Sequence, residues 1–171
     1  EELVQSTMCL FVDENFAVPM GIVFNEALRE NLFMLMVSIF QKIPIFIVGK
    51  PGTSKSLALT LIRENMNGKK SRKQFWRRFP SVNVYSYQCS PLSTSDGIQK
   101  TFNKASSYLQ NANNATCLVL LDEVGLAESS PHLPLKVLHK VLDEEHEYTL
   151  AGISNWALDP AKMNRAVHLY R

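Results

Sequence analysis

Apolar residues along this chain fall into two alternating rhythms, one helical and one extended. Within residues 26–41, Leu28, Leu32, Leu35, Val37 and Ile39 fall at approximately helical spacing, and Asn25 can cap the helix start. Residues 43–48 form an apolar run without alternation, as expected of a strand covered on both faces. Across 55–67 the helical spacing returns with Leu57, Ala58, Leu61, Ile62 and Met66, and Gly68 supplies a stop. Residues 82–87 read as a strand. Ser93 or Thr94 then caps a helix with Ile98, Phe102, Ala105 and Leu109 on one face. A continuous apolar strand at 117–121 is expected to be central. Pro134 follows in the first turn of a helix whose Leu135, Leu138, Val141 and Leu142 face inward. Residues 149–154 form a further strand, and Val167-His168-Leu169 looks like the start of another. Residues 1–24 carry the weakest pattern, with Leu10-Phe11-Val12 suggesting a short strand. Strands alternating with helices predict an α/β fold: a parallel, doubly wound sheet with helices on both faces. Ligands of such sheets bind beyond the carboxyl ends of the strands, so the chemistry is sought there.

Composition narrows the picture only a little. A chain of 171 residues, 46% apolar, can build one core. A net charge of +2 gives no global field for nucleic acid, so none is expected as a partner. Basic residues do gather locally, in Lys69, Lys70, Arg72, Lys73, Arg77 and Arg78. The ordinary reading is a solvated loop pinned by Phe75, Trp76 and Phe79. Cys9, Cys89 and Cys117 match neither a zinc pattern nor a disulfide framework, and a reducing, cytoplasmic location follows. The opening Glu1-Glu2-Leu3 is unlike a signal peptide. The apolar segment 32–48 is broken by Gln41, Lys42 and Pro44, so no transmembrane segment is expected. The chain stops just after an apparent strand start, which suggests a piece of something longer. We divide it into a lead-in, 1–24, and a main unit, 25–171.

The strongest chemical signal is Gly49-Lys50-Pro51-Gly52-Thr53-Ser54-Lys55-Ser56, set between an apolar strand and a helix beginning Leu57. Such a loop turns successive backbone N–H groups toward phosphate oxygens, and the helix N-terminus adds partial positive charge. Lys55 can reach the β- and γ-phosphates, and the Ser56 hydroxyl can bind Mg²⁺. Ser54 departs from the usual pattern, which has glycine before the lysine.

Two further signals fall at strand ends. Asp122-Glu123 follows the strand ending at Leu121. Asp122 can hold Mg²⁺ through water, and Glu123 can polarise an attacking water. Alone, this pair would be read as a helix cap or solvated turn; with the phosphate loop upstream the chemical reading prevails. Asn155 follows the strand ending at Ser154 and can bond a γ-phosphate without neutralising Glu123, although a turn asparagine is common. Beyond it, Asp159-Pro160 suggests a short helix ending at Arg165. Arg165 can reach a neighbouring subunit's γ-phosphate or form a surface ion pair, and Arg171 is the competing candidate. Cys89 has no neighbour suited to a catalytic dyad and reads as packing, like Cys117. Trp156 reads as a packing anchor, and His132 and His139 have no suitably spaced metal-ligand partners.

In this order and spacing the motifs resemble the large subdomain of an AAA+ ATPase, a P-loop NTPase fold with its lid subdomain absent. The wording of residues 49–58, Ser86-Tyr87-Gln88-Cys89-Ser90, Leu121-Asp122-Glu123-Val124-Gly125-Leu126-Ala127-Glu128 and residues 152–165 resembles an AAA+ module of the mysterin family, the giant RING-finger ubiquitin ligases. The resemblance runs from about Asn25 to the end, and Ser54 matches this family's own loop. It implies ATP and Mg²⁺ as cofactors, with Gly49, Pro51, Gly52, Thr53, Ser54, Lys55, Ser56, Leu57 and Asp122 at the nucleotide. It further implies Glu123, Asn155 and Arg165 as catalytic groups. Adjacent AAA+ modules of the same chain in a dynein-like ring are implied as partners, with ubiquitin machinery reached through the parent protein and an association with lipid droplets. The ligase machinery itself has no counterpart in these residues. Competing readings are a structural nucleotide site without turnover, a scaffold module, and a nucleic-acid motor using the 69–78 cluster.

Overall fold

The fold is taken from a computed structural model that describes residues 2–112, 114–144, 146–159 and 166–171. Its elements in chain order are α1 (Glu2–Asn15), α2 (Glu26–Gln41), β1 (Ile45–Val48), α3 (Lys55–Asn65), β2 (Val82–Gln88), α4 (Ser95–Asn111), β3 (Thr116–Asp122), α5 (Val124–Glu128), α6 (Lys136–Asp143), β4 (Thr149–Ser154) and β5 (Val167–Tyr170). Two short 3₁₀ turns, Gly68–Lys70 and Gln74–Arg78, lie between α3 and β2.

The five strands form one parallel sheet in the order β2-β3-β4-β1-β5. β3 has a neighbour on each side, as its uninterrupted apolar run requires, although β4 holds the middle place. Alternation within β1 and β3 divides the interior in two. Ile45 and Ile47, with Leu118 and Leu120, face the side covered by α1, α2 and α3. Phe46, Cys117, Val119 and Leu121 face the side covered by α4, α5 and α6. The doubly wound expectation therefore holds.

Local chemistry sets the helix starts. The Asn25 side chain accepts from the Leu28 N–H at 2.7 Å and caps α2. Thr94, rather than Ser93, caps α4 by accepting from the Gly97 N–H at 3.2 Å. Ser93 is buried and accepts instead from the Ser90 N–H. Pro134 precedes α6, which begins at Lys136.

The short strand expected at Leu10-Phe11-Val12 is absent. Those residues lie inside α1. The helix wins because its covered positions recur at helical spacing: Met8, Phe11 and Val12, then Asn15, with Phe16 just beyond. Phe11 meets the rings of Phe33, Phe75 and Trp76 edge-on, and Val12 and Phe16 are buried. Each such burial contributes about 2 kcal/mol. The forked Arg29–Asp13 ion pair between α2 and α1 is partly exposed and contributes up to about 1 kcal/mol. Packing, more than the ion pair, holds α1 in place.

The basic stretch is pinned as its aromatic residues suggested. Trp76 is 1% exposed, donates from its indole N–H to the Asn15 carbonyl at 2.6 Å, and contacts Phe79. Lys69, Lys70, Arg77 and Arg78 line a cleft with Ser81 and Asn114, near the N-terminal ends of β2 and β3. No described helix is long and apolar enough to cross a membrane.

Candidate nucleotide-binding site

The carboxyl ends of β1, β3 and β4 converge on one cleft of about 340 Å³. Its lining comprises the loop and helix start from Pro51 to Leu57, with Asp122, Glu123, Ile153 and Asn155. Of the residues assigned from sequence, Gly49 lies behind this lining, where its N–H donates to the Ser154 carbonyl at 3.1 Å. Arg165, and the short helix expected from Pro160, fall outside the described residues. A larger concavity of about 620 Å³ sits at the opposite end of the sheet, among Pro44, Tyr148 and Leu150. It has no phosphate loop, so size does not identify the site here.

The loop is built by backbone conformation. Gly52 takes φ +86°, with open space where a Cβ would stand. Ser54 takes φ 59° and ψ 18°, the left-handed conformation for which the usual glycine is suited. The missing glycine therefore changes the conformational cost and leaves the path of the loop intact.

Lys55 opens α3 and is 5% exposed. Its ammonium donates back to the carbonyls of Gly49 and Lys50, and to Thr53 Oγ1 at 3.2 Å. Burial pushes its pKa below the ordinary lysine value, and the Asp122 charge partly offsets this.

Support comes from beneath the loop. Asn31 is fully buried in α2 and donates to the Thr53 carbonyl at 3.0 Å, while its Oδ1 accepts from Arg171 Nε at 3.0 Å. Asn25 reaches Ser54 Oγ at 3.4 Å. Neither contact was anticipated, since a buried asparagine in an apolar helix pattern is the only clue. Arg171 also pairs with Glu30, so this candidate finger is engaged within its own module.

Glu123 sits in the left-handed region at φ 51°, and its N–H donates to Asp122 Oδ1 at 3.0 Å. Its carboxylate accepts from Gln88 Nε2 at 3.1 Å. From sequence, Gln88 stood only within the segment Ser86–Ser90 that carries the family resemblance, with no role of its own. Burial raises the Cys89 thiol pKa to about 12, with Asp122 and Glu123 adding to the shift, which suits a packing role. Cys117 is likewise buried and raised to about 11. Asn155 enters the cleft from the end of β4.

The side-chain donors lining the cleft are oxygen atoms, among them the Ser56 hydroxyl and the Asp122 carboxylate. That set suits Mg²⁺, a hard cation that keeps water and takes phosphate oxygens in preference to an all-protein cage. Among the described residues no three His, Cys, Asp or Glu side chains cluster as such a cage.

A family profile described as "RNF213 AAA domain" matches residues 21–171. The human E3 ubiquitin-protein ligase RNF213 is 46% identical over 158 residues, covering 86% of this chain and 3% of that protein. The zebrafish (Danio rerio) E3 ubiquitin-protein ligase rnf213-beta is 42% identical over 173 residues, covering 94% of this chain and 3% of the relative. The chain thus spans a small fraction of the relatives it matches. Among solved structures, C. elegans PCH-2 superposes with a TM-score of 0.59 at 16% identity, over 92% of this chain and 44% of that one. The Aeropyrum pernix ORC1 protein, solved in complex with DNA, gives 0.58 at 14% identity, over 82% and 44%. These two likenesses show the fold, and the family profile gives it as an AAA domain.

Proposed function

The chain belongs to the RNF213 (mysterin) AAA-domain family, and from that premise we propose that it is an ATP-binding and ATP-hydrolysing AAA+ module of an E3 ubiquitin-protein ligase. The observation that carries this reading is the convergence of Lys55, Ser56, Asp122, Glu123 and Asn155 on one cleft. Residues this far apart in sequence meet there only because β1, β3 and β4 are neighbours in the sheet.

Each residue has a role that its chemistry can perform. The N–H groups from Gly52 to Ser56 bind phosphate oxygens. Lys55 exchanges its loop carbonyls for the β- and γ-phosphates, a swap that sets opposite charge against an ammonium its buried position disfavours. Ser56 and Asp122 would hold Mg²⁺, which supplies positive charge against the phosphates. Glu123 takes a proton from the attacking water, and Asn155 orients the γ-phosphate as an uncharged donor. Around the site, adjacent AAA+ modules of the same chain form a ring, and Arg165 acts on the next module. Nucleotide state then changes how this module packs on its neighbours. Ubiquitin transfer belongs to the parent protein, in which this module works by shape.

The test uses the full-length protein that carries this module. Lys55→Ala abolishes nucleotide binding at this site. Glu123→Gln keeps binding, with turnover falling by roughly two orders of magnitude or more. Unchanged turnover in Glu123→Gln would make this a nucleotide site without hydrolysis.

A further inference from the structure

Helix α5 starts one residue after Glu123, and the segment 156–159 starts one residue after Asn155. Three contacts join these two pieces. The indole of Trp156 and the Ser154 hydroxyl both lie against Gly125: a Cβ on Gly125 would stand 2.6 Å from Trp156 Nε1, 2.7 Å from Cε2 and 2.6 Å from Ser154 Oγ. The backbone N–H of Asp159 donates to the Glu128 carboxylate at 2.9 Å. Leu158 is buried in the same apolar cluster as Val124 and Ala127. On the β4 side, the Ser154 hydroxyl donates to the Trp156 carbonyl at 2.6 Å and lies 3.3 Å from the Trp156 N–H, which donates to it. One hydroxyl thus ties both backbone polar groups of Trp156 back across Asn155.

Trp156 gains little from burial here. It is 46% exposed, whereas Trp76 in the core is 1% exposed. An indole that stays half in water, yet leaves no room for a methyl group at position 125, acts through its placement. We propose that Trp156 is a positioning residue that, seated on Gly125 and clamped by Ser154, makes Asn155 and Glu123 move as one body. A shift of Asn155 on meeting a γ-phosphate is thereby passed to α5 and to the carboxylate that activates water. This inference rests on the ATPase reading above.

The experiment is a double-mutant cycle in the full-length protein. Turnover is counted above that of Glu123→Gln. Site affinity is measured as the adenylyl imidodiphosphate binding that Lys55→Ala removes. Trp156→Ala is expected to lower kcat about tenfold to a hundredfold, the range that a misplacement near 1 Å can cost, with analogue affinity within about threefold. Trp156→Phe, which keeps a flat ring over Gly125, recovers most of the rate. Gly125→Ala alone loses rate because its methyl group displaces the indole and the Ser154 hydroxyl that clamps it. With Gly125→Ala and Trp156→Ala combined, the loss is smaller than the sum of the two single losses, since the indole is already gone and the methyl group meets only Ser154 Oγ. Additive losses, unchanged turnover in Trp156→Ala, or parallel losses of affinity and rate in both Trp156→Ala and Trp156→Phe would each overturn the positioning role. Failure of the ATPase reading is separately visible, because Glu123→Gln would then leave turnover unchanged.

Discussion

Gln88 and Glu123 face each other across the ends of β2 and β3, and the Gln88 side-chain amide donates to Glu123 Oε2 at 3.1 Å. The contact follows from register: Gln88 pairs with Asp122 in the parallel ladder, which sets its amide beside the next residue. One carboxylate oxygen is held while the other remains available to a water. Gln88→Met keeps the chain length and removes the donor. Its expected effect is a fall in turnover of about tenfold, with nucleotide affinity unchanged, because only the aim of Glu123 is lost. A rise in turnover would mean that Gln88 holds Glu123 away from the water.

The loop's left-handed serine gives a stability prediction with a sign. Ser54 at φ 59° bears a strain of about 1–2 kcal/mol for a residue with a Cβ. Glycine removes that strain but adds about 0.4–1 kcal/mol of unfolded-chain entropy, and the long Asn25 contact is lost. Ser54→Gly should therefore raise the unfolding free energy by up to about 1 kcal/mol, read as a higher denaturant midpoint. Gly52→Ala has free space yet φ +86°, and should lower stability by about 1 kcal/mol. A stability loss in Ser54→Gly would show that the Asn25 contact outweighs the backbone term.

Which parts were legible in the sequence depends on the range of the forces involved. Long apolar runs at β3 and β4 and the period of α2 and α3 are local signals, and the sheet followed from their alternation. The loop, Asp122, Glu123 and Asn155 were legible because each follows a strand, and a parallel sheet sends strand ends to one side. Helix α1 was misread because Leu10-Phe11-Val12 suits a strand locally, and only packing against Phe33 and Trp76 decides for the helix. Asn31, Gln88 and Gly125 were invisible as site supports. Each acts on a residue distant in sequence, through a contact that exists only once the strands are ordered.

Burial of the thiols predicts both reactivity and alkaline behaviour. Cys89 and Tyr148 are pushed up to about 12 and Cys117 to about 11 by desolvation, so the native protein keeps protons that the unfolded chain releases from about pH 9 upward. The unfolded state then binds fewer protons, and stability falls as pH rises. The contribution is complete below about pH 9 and is lost as pH climbs toward 12. Denaturant midpoints measured between pH 8 and pH 11 should decline, and a flat profile would contradict the assignment. At pH 8 a thiol-alkylating reagent should modify Cys9, the partly exposed cysteine, well before Cys89 or Cys117.

Two arginines competed for the role of a finger, and the structure describes one of them, Arg171. Arg171 follows β5, donates to Asn31 and pairs with Glu30, both on α2. It thereby ties α2 to the strand edge beside β1, and through Asn31 to the phosphate loop. Arg171→Ala should cost on the order of 2 kcal/mol in stability, the scale of hydrogen bonds to a charged group, and should weaken nucleotide binding at its own site. Arg165 lies outside the described residues, and its proposed role rests on its place after Asn155 and Asp159-Pro160. A finger stabilises charge on the transferred phosphoryl group, and its removal costs on the order of a thousandfold in rate. Arg165→Ala in the full-length protein should leave affinity at the Gly52–Ser56 loop unchanged and reduce hydrolysis at the neighbouring module, provided that module keeps its own catalytic carboxylate. The readout is turnover with this module silenced by Glu123→Gln, so that only other sites contribute. If Arg165→Ala leaves that residual turnover intact while lowering affinity at this module's own loop, Arg165 serves its own module and the finger assignment fails.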